Sequence, residues 1–281
     1  MSINSISQIL NNISKDLEEN SSSPRLDAEL LVMHSLGWSR TQLFINSQKS
    51  LLADQFENLS QLFERRKRGE PIAYILGEQE FWSLPLCVTE DTLIPRPETE
   101  HLVEIALSKI PQNVAWDIAD LGTGSGAIAL AIAHERKNCR VMGVDFSSAA
   151  LEVATLNANK LDIKNVSFIQ SSWLNELDQK LFHLIVSNPP YVEEGDEHLL
   201  QGDVAFEPRS ALVSGADGLD DIRQISHSAS KHLYSKGWLM LEHGWNQAEQ
   251  VQNILLENQF QQISTINDLA DIPRITIGCK L

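Results

Sequence analysis

The chain has 281 residues, 42% hydrophobic and 21% charged, with a net charge of −16; this is a globular composition, long enough for one large domain and a small one. Positions 1–80 carry 8 basic and 11 acidic residues and positions 81–281 carry 14 and 27, which excludes an autonomous DNA-binding module and suits a basic protein partner. No apolar run approaches the roughly 20 residues that span a bilayer, and Met1-Ser2-Ile3-Asn4 lacks the basic start and apolar core of a signal peptide, so a cytoplasmic protein without membrane contact is expected.

Residues 1–76 read as helical. Ile3, Ile6, Leu10, Ile13 and Leu17 recur at three- and four-residue steps and form one apolar stripe. Asn20 to Pro24 reads as a loop. A second helix is expected over Asp27–Leu36, stopped by Gly37. Ser39-Arg40-Thr41 opens a short third helix. A longer one spans Asp54–Arg68, with Phe56, Leu59, Leu62 and Phe63 on one face. It ends in Arg65-Arg66-Lys67-Arg68-Gly69, read as a solvated last turn that complements the helix dipole, with a phosphate contact as the alternative.

Residues 77–96 alternate apolar and polar around Thr89-Glu90-Asp91-Thr92, the pattern of a β-hairpin linking two domains. Pro97 and the acids near it open a helix that runs to about Leu107. Strands are then expected at Trp116–Leu121, Arg140–Asp145, Val166–Ser171, Leu181–Ser187 and Gly237–His243. Helices are expected at Ala127–Arg136, Ser148–Lys160, Gly218–Tyr234 and Gln247–Glu257. Alternating strand and helix predicts an α/β fold, a doubly wound parallel sheet. The closing strands Gln261–Ile266 and Arg274–Lys280 have no helix between them, so one antiparallel strand is expected at its end.

Two motifs carry chemistry. Asp120-Leu121-Gly122-Thr123-Gly124-Ser125-Gly126 ends the first parallel strand and opens a helix, where glycines permit a tight turn and close approach of a ligand. Asp145 ends the next strand, 19 residues after Gly126, where a carboxylate can hold both hydroxyls of a ribose. The glycines alone also satisfy the relaxed dinucleotide fingerprint. Asp120 would oppose a pyrophosphate and favour a ligand bearing an ammonium group, as S-adenosylmethionine does. Trp173, after the third strand, stands where an adenine would stack, or simply packs.

The second motif is Asn188-Pro189-Pro190-Tyr191, at the carboxyl end of the strand Leu181–Ser187. An amide or aromatic amino nitrogen is a poor nucleophile because its lone pair is delocalised. Two acceptors aimed at its N–H bonds favour pyramidal nitrogen and free the lone pair. Asn188 offers a side-chain carbonyl and Pro189 a backbone carbonyl, whose direction Pro190 restricts. Tyr191 offers an aromatic wall. Cys87, Cys139 and Cys279 fit neither a disulfide framework nor a metal site, and the eight histidines form no ligand pattern, so no metal is expected.

With these residues placed, the chain resembles the HemK/PrmC-type glutamine methyltransferases of peptide chain release factors over nearly its whole length. The resemblance rests on Arg68-Gly69-Glu70-Pro71, Leu93-Ile94-Pro95-Arg96-Pro97-Glu98-Thr99-Glu100, the glycine loop, Asn188-Pro189-Pro190-Tyr191 and Leu241-Glu242-His243-Gly244. It implies a helical N-terminal domain that recognises the substrate (1–76), a hairpin linker (77–96) and a class I methyltransferase domain (97–281) whose seven-stranded sheet has one antiparallel strand. It implies methyl transfer to the side-chain N5 of the glutamine in the Gly-Gly-Gln motif of class-1 release factors, with S-adenosylhomocysteine as product. By motif position, Asp120, Gly122, Thr123, Gly124, Ser125, Gly126, Asp145, Trp173 and Asn188 would bind S-adenosylmethionine. Asn188, Pro189, Pro190 and Tyr191 would grip the glutamine, with Asn188, Pro189 and Tyr191 acting in the chemical step. Ser171-Ser172 departs from the Gly-Asp or Gly-Ser common in the family at that place.

The competing readings are an N6-adenine methyltransferase on nucleic acid, a non-catalytic scaffold that keeps the fold, and a nicotinamide oxidoreductase. The acidic charge opposes the first. The intact Asp120, Asp145 and Asn188 oppose the second, and Asp120 at the phosphate position opposes the third.

Overall fold

The computed structural model describes residues 5–281. The chain divides into two compact units: Met1–Gly77 together with Leu200–Phe206, and Glu78–Leu199 together with Glu207–Leu281. This differs from the boundaries read from the sequence. The hairpin packs with the second unit, and a seven-residue excursion from that unit packs with the first.

The first unit holds α1 (Ile6–Asp16), α2 (Pro24–Leu36), α3 (Arg40–Ile45), α4 (Ala53–Lys67) and α5 (Ile72–Leu76). Ser5 and Gln8 close a capping box on α1. Ile6, Leu10, Ile13 and Leu17 are buried against Leu31 and Val32 of α2 and Leu59 and Leu62 of α4; the Ile3 end of the expected stripe lies outside the described residues. α2 begins three residues before the expected Asp27, because Pro24 occupies its first turn, where a missing N–H costs nothing. Phe56, expected on the packed face of α4, is exposed.

The basic end of α4 is solvated only in part: Lys67 and Arg68 are exposed, as expected, but Arg66 is not. Arg66 is buried, donating to Asp27 at 2.7 Å, to Asp203 at 3.0 Å and to the Glu70 carbonyl at 2.9 Å. Arg65 pairs with Glu70, which holds the carboxyl of Glu70 below its ordinary range. The guanidinium of Arg66 therefore ties the 200–206 excursion to the helices.

In the second unit, β1 (Glu78–Phe81) and β2 (Leu84–Cys87) form the hairpin. Its turn is Trp82-Ser83, not Thr89–Thr92. Both turn residues have positive φ, 53° and 58°, the backbone of a two-residue hairpin turn that usually recruits Asn or Gly. The Glu100 carboxylate accepts the Trp82 N–H at 2.7 Å and holds that turn. Thr89–Thr92 makes a separate turn beyond β2, closed by a 3.0 Å bond from Thr92 N to Thr89 O.

The chain continues through α6 (Thr99–Lys109), β3 (Asp117–Leu121), α7 (Ala127–Glu135), β4 (Arg140–Asp145), α8 (Ser148–Lys160), β5 (Val166–Gln170) and β6 (Phe182–Ser187). It closes with α9 (Asp220–His232), β7 (Leu233–Glu242), α10 (Ala248–Glu257), β8 (Gln261–Asn267) and β9 (Pro273–Cys279). The sheet order is β5-β4-β3-β6-β7-β9-β8. Strands β3 to β7 are parallel, and β9 runs antiparallel to both its neighbours. The antiparallel strand is thus last in sequence but second from the edge, inserted between β7 and β8.

Both faces of the sheet are covered, which is why its central strands are continuous apolar runs. Alternate residues go to opposite faces. Ile118, Leu184 and Val186 pack against α6, α7 and the hairpin. Ala119, Leu121 and Ile185 pack against α9 and α10. The chain enters the sheet at β3, builds β4 and β5 on one side, then crosses to β6 on the other. That reversal leaves a crevice at the carboxyl ends of β3 and β6.

Candidate active site

A cavity of about 430 Å³ occupies this crevice, and Gly122, Gly124, Asp145, Trp173, Asn188 and Pro190 line it. These six were singled out in the sequence. The other predicted residues lie beneath or beside the cavity and are not part of its lining.

The glycine loop is built from strand β3. The N–H groups of Gly122 and Thr123 both donate to Val144 O, at 2.8 and 2.9 Å, which turns the chain sharply out of the sheet. Gly122 has φ +70°, and a Cβ there would lie 3.4 Å from the Trp173 ring, so the indole packs directly on bare backbone. Ser125 is buried, and its carbonyl accepts from Asn157 Nδ2 at 2.9 Å. The same fully buried amide donates to Cys87 O and accepts from Cys87 N, at 3.0 and 2.7 Å. Asn157 thus stitches the hairpin to the loop, a role that no local pattern reveals.

Asp120 lies beneath the loop. Strand alternation turns its side chain toward α7, where Oδ2 accepts from Thr123 Oγ1 at 2.6 Å and from Ala129 N at 3.1 Å. Its Oδ1 is buried with no hydrogen-bond partner among the described residues. Burial pushes the carboxyl up to about 7. The sequence reading placed this group against a ligand's ammonium; in the structure it braces the turn, with one oxygen to spare.

Asp145 reaches the cavity. Its two oxygens accept from Gly124 N and Ser147 N, at 2.9 and 3.0 Å. Burial raises this carboxyl, and those backbone bonds oppose the shift. Each oxygen keeps a lone pair for a hydroxyl of a ligand. Trp173 both lines the cavity and packs on the core beneath it, so the two sequence readings of it are compatible. Its φ of 55° is uncommon for a bulky aromatic residue. The indole covers Gly122 and lies beside the partly buried Asp221 carboxyl.

At the end of β6, Asn188 Nδ2 donates to Thr99 Oγ1 at 3.1 Å. This leaves the amide oxygen as the free acceptor. Pro189 and Pro190 are buried and Tyr191 is half-buried. Tyr191 N donates to Leu212 O at 3.1 Å, and its carbonyl accepts from Gln247 Nε2 at 3.0 Å. Gly218, with φ +72°, passes so close that a Cβ would stand 2.2 Å from Tyr191 O. No side chain fits there. Burial, then the nearby Glu242 charge, pushes the Tyr191 phenol up to about 12.

The segment Ile94–Glu100 organises the site from behind. Ile94 N and Arg96 donate to the two oxygens of the buried Glu207. Thr99 accepts from Asn188, and Glu100 holds the hairpin turn. Asp91, Pro208, Ser210, Asp221 and Gln224 complete the cavity wall; they come from loops and from one face of α9, and carry no motif that would have flagged them.

The residues that line the cavity suit S-adenosylmethionine: a carboxylate with open lone pairs for a ribose diol, an aromatic face and a bare glycine turn. The model of the PrmC N-terminal domain matches residues 8–77, and the model of the methyltransferase small domain matches residues 100–216. The release factor glutamine methyltransferase of Coxiella burnetii is 47% identical over 274 residues, covering 98% of each chain. That of Vibrio cholerae is 49% identical over 262 residues, 93% of this chain and 91% of its own. Among solved structures, a Thermus thermophilus 16S rRNA N2 G1207 methyltransferase, in complex with AdoMet and guanosine, superposes with a TM-score of 0.52 at 19% identity, over 73% of this chain and 50% of its own. That last likeness is one of fold.

Proposed function

The chain belongs to the family of release factor glutamine methyltransferases, and from that premise we propose that it transfers a methyl group from S-adenosylmethionine to the side-chain N5 of the glutamine in the Gly-Gly-Gln motif of class-1 release factors, in the cytoplasm. The observation that carries this reading is the meeting, in one cavity, of Asp145 and the glycine loop with Asn188 and Pro190. Residues suited to hold a nucleoside would there face residues suited to grip an amide.

S-adenosylmethionine would supply a methyl group already activated on a sulfonium, so no metal or strong base is required. Asp145 would hold the ribose hydroxyls and Trp173 would stack on the adenine, with Gly122 and Gly124 forming the floor. Asn188 Oδ1 and the Pro189 carbonyl would accept the two N–H bonds of the glutamine amide. That grip favours pyramidal nitrogen and stabilises the positive charge it gains as the N–C bond forms and the C–S bond breaks. Tyr191 would wall the planar amide, and the nitrogen's extra proton would pass to solvent. The main contribution of the protein is alignment of nitrogen, carbon and sulfur.

The helical unit, 1–76, would recognise the release factor. Among the described residues no helix is long and apolar enough to cross a membrane. The test is incubation of the protein with labelled S-adenosylmethionine and a purified class-1 release factor, followed by mapping of the label. Methylation at the Gly-Gly-Gln glutamine is expected; label elsewhere, or on nucleic acid instead, would overturn the reading.

A further inference from the structure

We infer that Thr99, backed by Glu242, fixes which end of the Asn188 amide faces the substrate, and is thereby a positioning residue for methyl transfer. The inference rests on the reading of Asn188 given above and extends it to residues outside the cavity.

An asparagine side chain presents a carbonyl at one end and an NH₂ at the other, and a half-turn about its last bond exchanges them. The grip on a glutamine N–H works only with the carbonyl outward. Asn188 itself contains nothing that selects this state, so the selection must come from its neighbours. The neighbour is Thr99, whose Oγ1 lies 3.1 Å from Nδ2. Yet a threonine hydroxyl both donates and accepts, so it alone would satisfy either orientation.

Glu242 removes the ambiguity. This residue ends β7, is 4% exposed, carries a buried carboxylate oxygen with no hydrogen-bond partner among the described residues, and lies beside the Thr99 side chain, which favours its ionised form. An ionised carboxylate only accepts. The Thr99 hydroxyl must then spend its one proton on Glu242, which leaves its oxygen to accept from Asn188 and turns the amide carbonyl to the cavity. The polarity of the row is set at its far end. All three groups are held firmly: Thr99 is 4% exposed in the first turn of α6, Asn188 follows β6, and β6 pairs with β7.

The charge of Glu242 is balanced between opposing groups. Burial raises its carboxyl to about 7, Thr99 and the Arg274 guanidinium on β9 favour ionisation, and Glu98 before α6 opposes it. Tyr191 also lies near it, as an un-ionised phenol. His243, next on the chain, has its ring occupied by Gly244 O and Thr276 Oγ1, and burial holds it neutral. A protonated Glu242 could donate and let the row run backwards, so the transfer rate should rise with pH through neutrality.

The experiment measures single-turnover methylation of a release factor, with both substrates saturating, and S-adenosylmethionine affinity by calorimetry. Thr99→Val keeps shape and removes the hydroxyl. It should slow transfer roughly 10- to 100-fold, as misplacement of a reacting group does, with cofactor affinity unchanged. Thr99→Ser restores the hydroxyl and should recover most of the rate. Glu242→Gln offers Thr99 either an acceptor or a donor; it should lower the rate and flatten its rise with pH. Wild-type transfer in Thr99→Val, alongside an inactive Asn188→Ala, overturns the positioning role and leaves the Asn188 grip standing. Wild-type transfer in Asn188→Ala overturns the grip itself. Should Thr99→Val fail to fold, the Glu242→Gln pH profile decides alone: a slope unchanged from wild type refutes the inference.

Discussion

The guanidinium of Arg96 donates to the carboxylate of Glu207 across 111 residues of chain, and Ile94 N donates to the same carboxylate. Glu207 immediately precedes Pro208, Ser210 and Ala211, which form one wall of the cavity. The ion pair therefore fixes that wall to the segment that carries Thr99. Arg96→Ala leaves a buried carboxylate without its guanidinium, and should lower unfolding free energy by about 3 kcal/mol. Urea denaturation measures this. A loss below about 1 kcal/mol, the size of an exposed pair, would show that Glu207 finds compensation elsewhere.

Much of this was legible in the sequence, and the part that was not has a common cause. The parallel strands and their helices follow from period and punctuation, both local. Asn188 was placed at a strand end because two prolines cannot continue a ladder. The hairpin turn was misplaced because Trp82 and Ser83 adopt positive φ without the usual residues, under a constraint from Glu100. Arg66 was read as solvated because Asp27 and Asp203, its partners, lie 39 and 137 residues away. Asp120 was set in the cavity because its position in the motif is legible and the direction of its side chain is not. Partners that meet only through the fold leave no trace in spacing.

Asp145 carries the cofactor prediction. Its oxygens hold Gly124 and Ser147 with lone pairs to spare. Asp145→Ala should weaken S-adenosylmethionine binding roughly ten-fold or more, the loss of charge-assisted hydrogen bonds. Calorimetry is the measurement, and unchanged affinity would remove Asp145 from the site.

Asp120 predicts a pH effect on stability. Its carboxyl stands at about 7 in the folded chain against 3.8 for an unperturbed group. Between those values the unfolded chain has released a proton that the folded chain retains, so stability falls as pH rises and levels off above about 7. Across that window the penalty is about 4 kcal/mol at most. Asp120→Asn keeps an acceptor for Thr123 or Ala129 and does not titrate. Relative to wild type it should gain stability steadily from pH 5 to about pH 7 and level off above that. Parallel stability curves for the two proteins would contradict the assignment.

The acidic charge and the helical unit predict how the partner is met. The net charge of −16 should steer a basic surface, so association with a release factor should slow as salt rises, roughly several-fold over a physiological range. Phe44 is 83% exposed on α3, the kind of side chain that anchors interfaces. Phe44→Ser should raise the KM for the release factor roughly ten-fold and leave S-adenosylmethionine affinity unchanged. A salt-independent on-rate counts against the first expectation and an unchanged KM against the second.

The central claim is that the Asn188 carbonyl grips the target nitrogen during methyl transfer, and single-turnover methylation of a release factor by Asn188 variants tests it most directly. Asn188→Ala deletes one of two acceptors, a loss of about two to four kcal/mol of transition-state stabilisation by analogy with oxyanion-hole donors. The rate at saturation should fall by roughly two to three orders of magnitude, with the affinity of each substrate, measured separately, within a few-fold of wild type. Asn188→Asp retains an acceptor and should keep more activity than Asn188→Ala if acceptance is the sole role; equal failure of both would assign a part to the amide NH₂ that Thr99 holds. Wild-type transfer by Asn188→Ala, with both substrates saturating, would contradict the account.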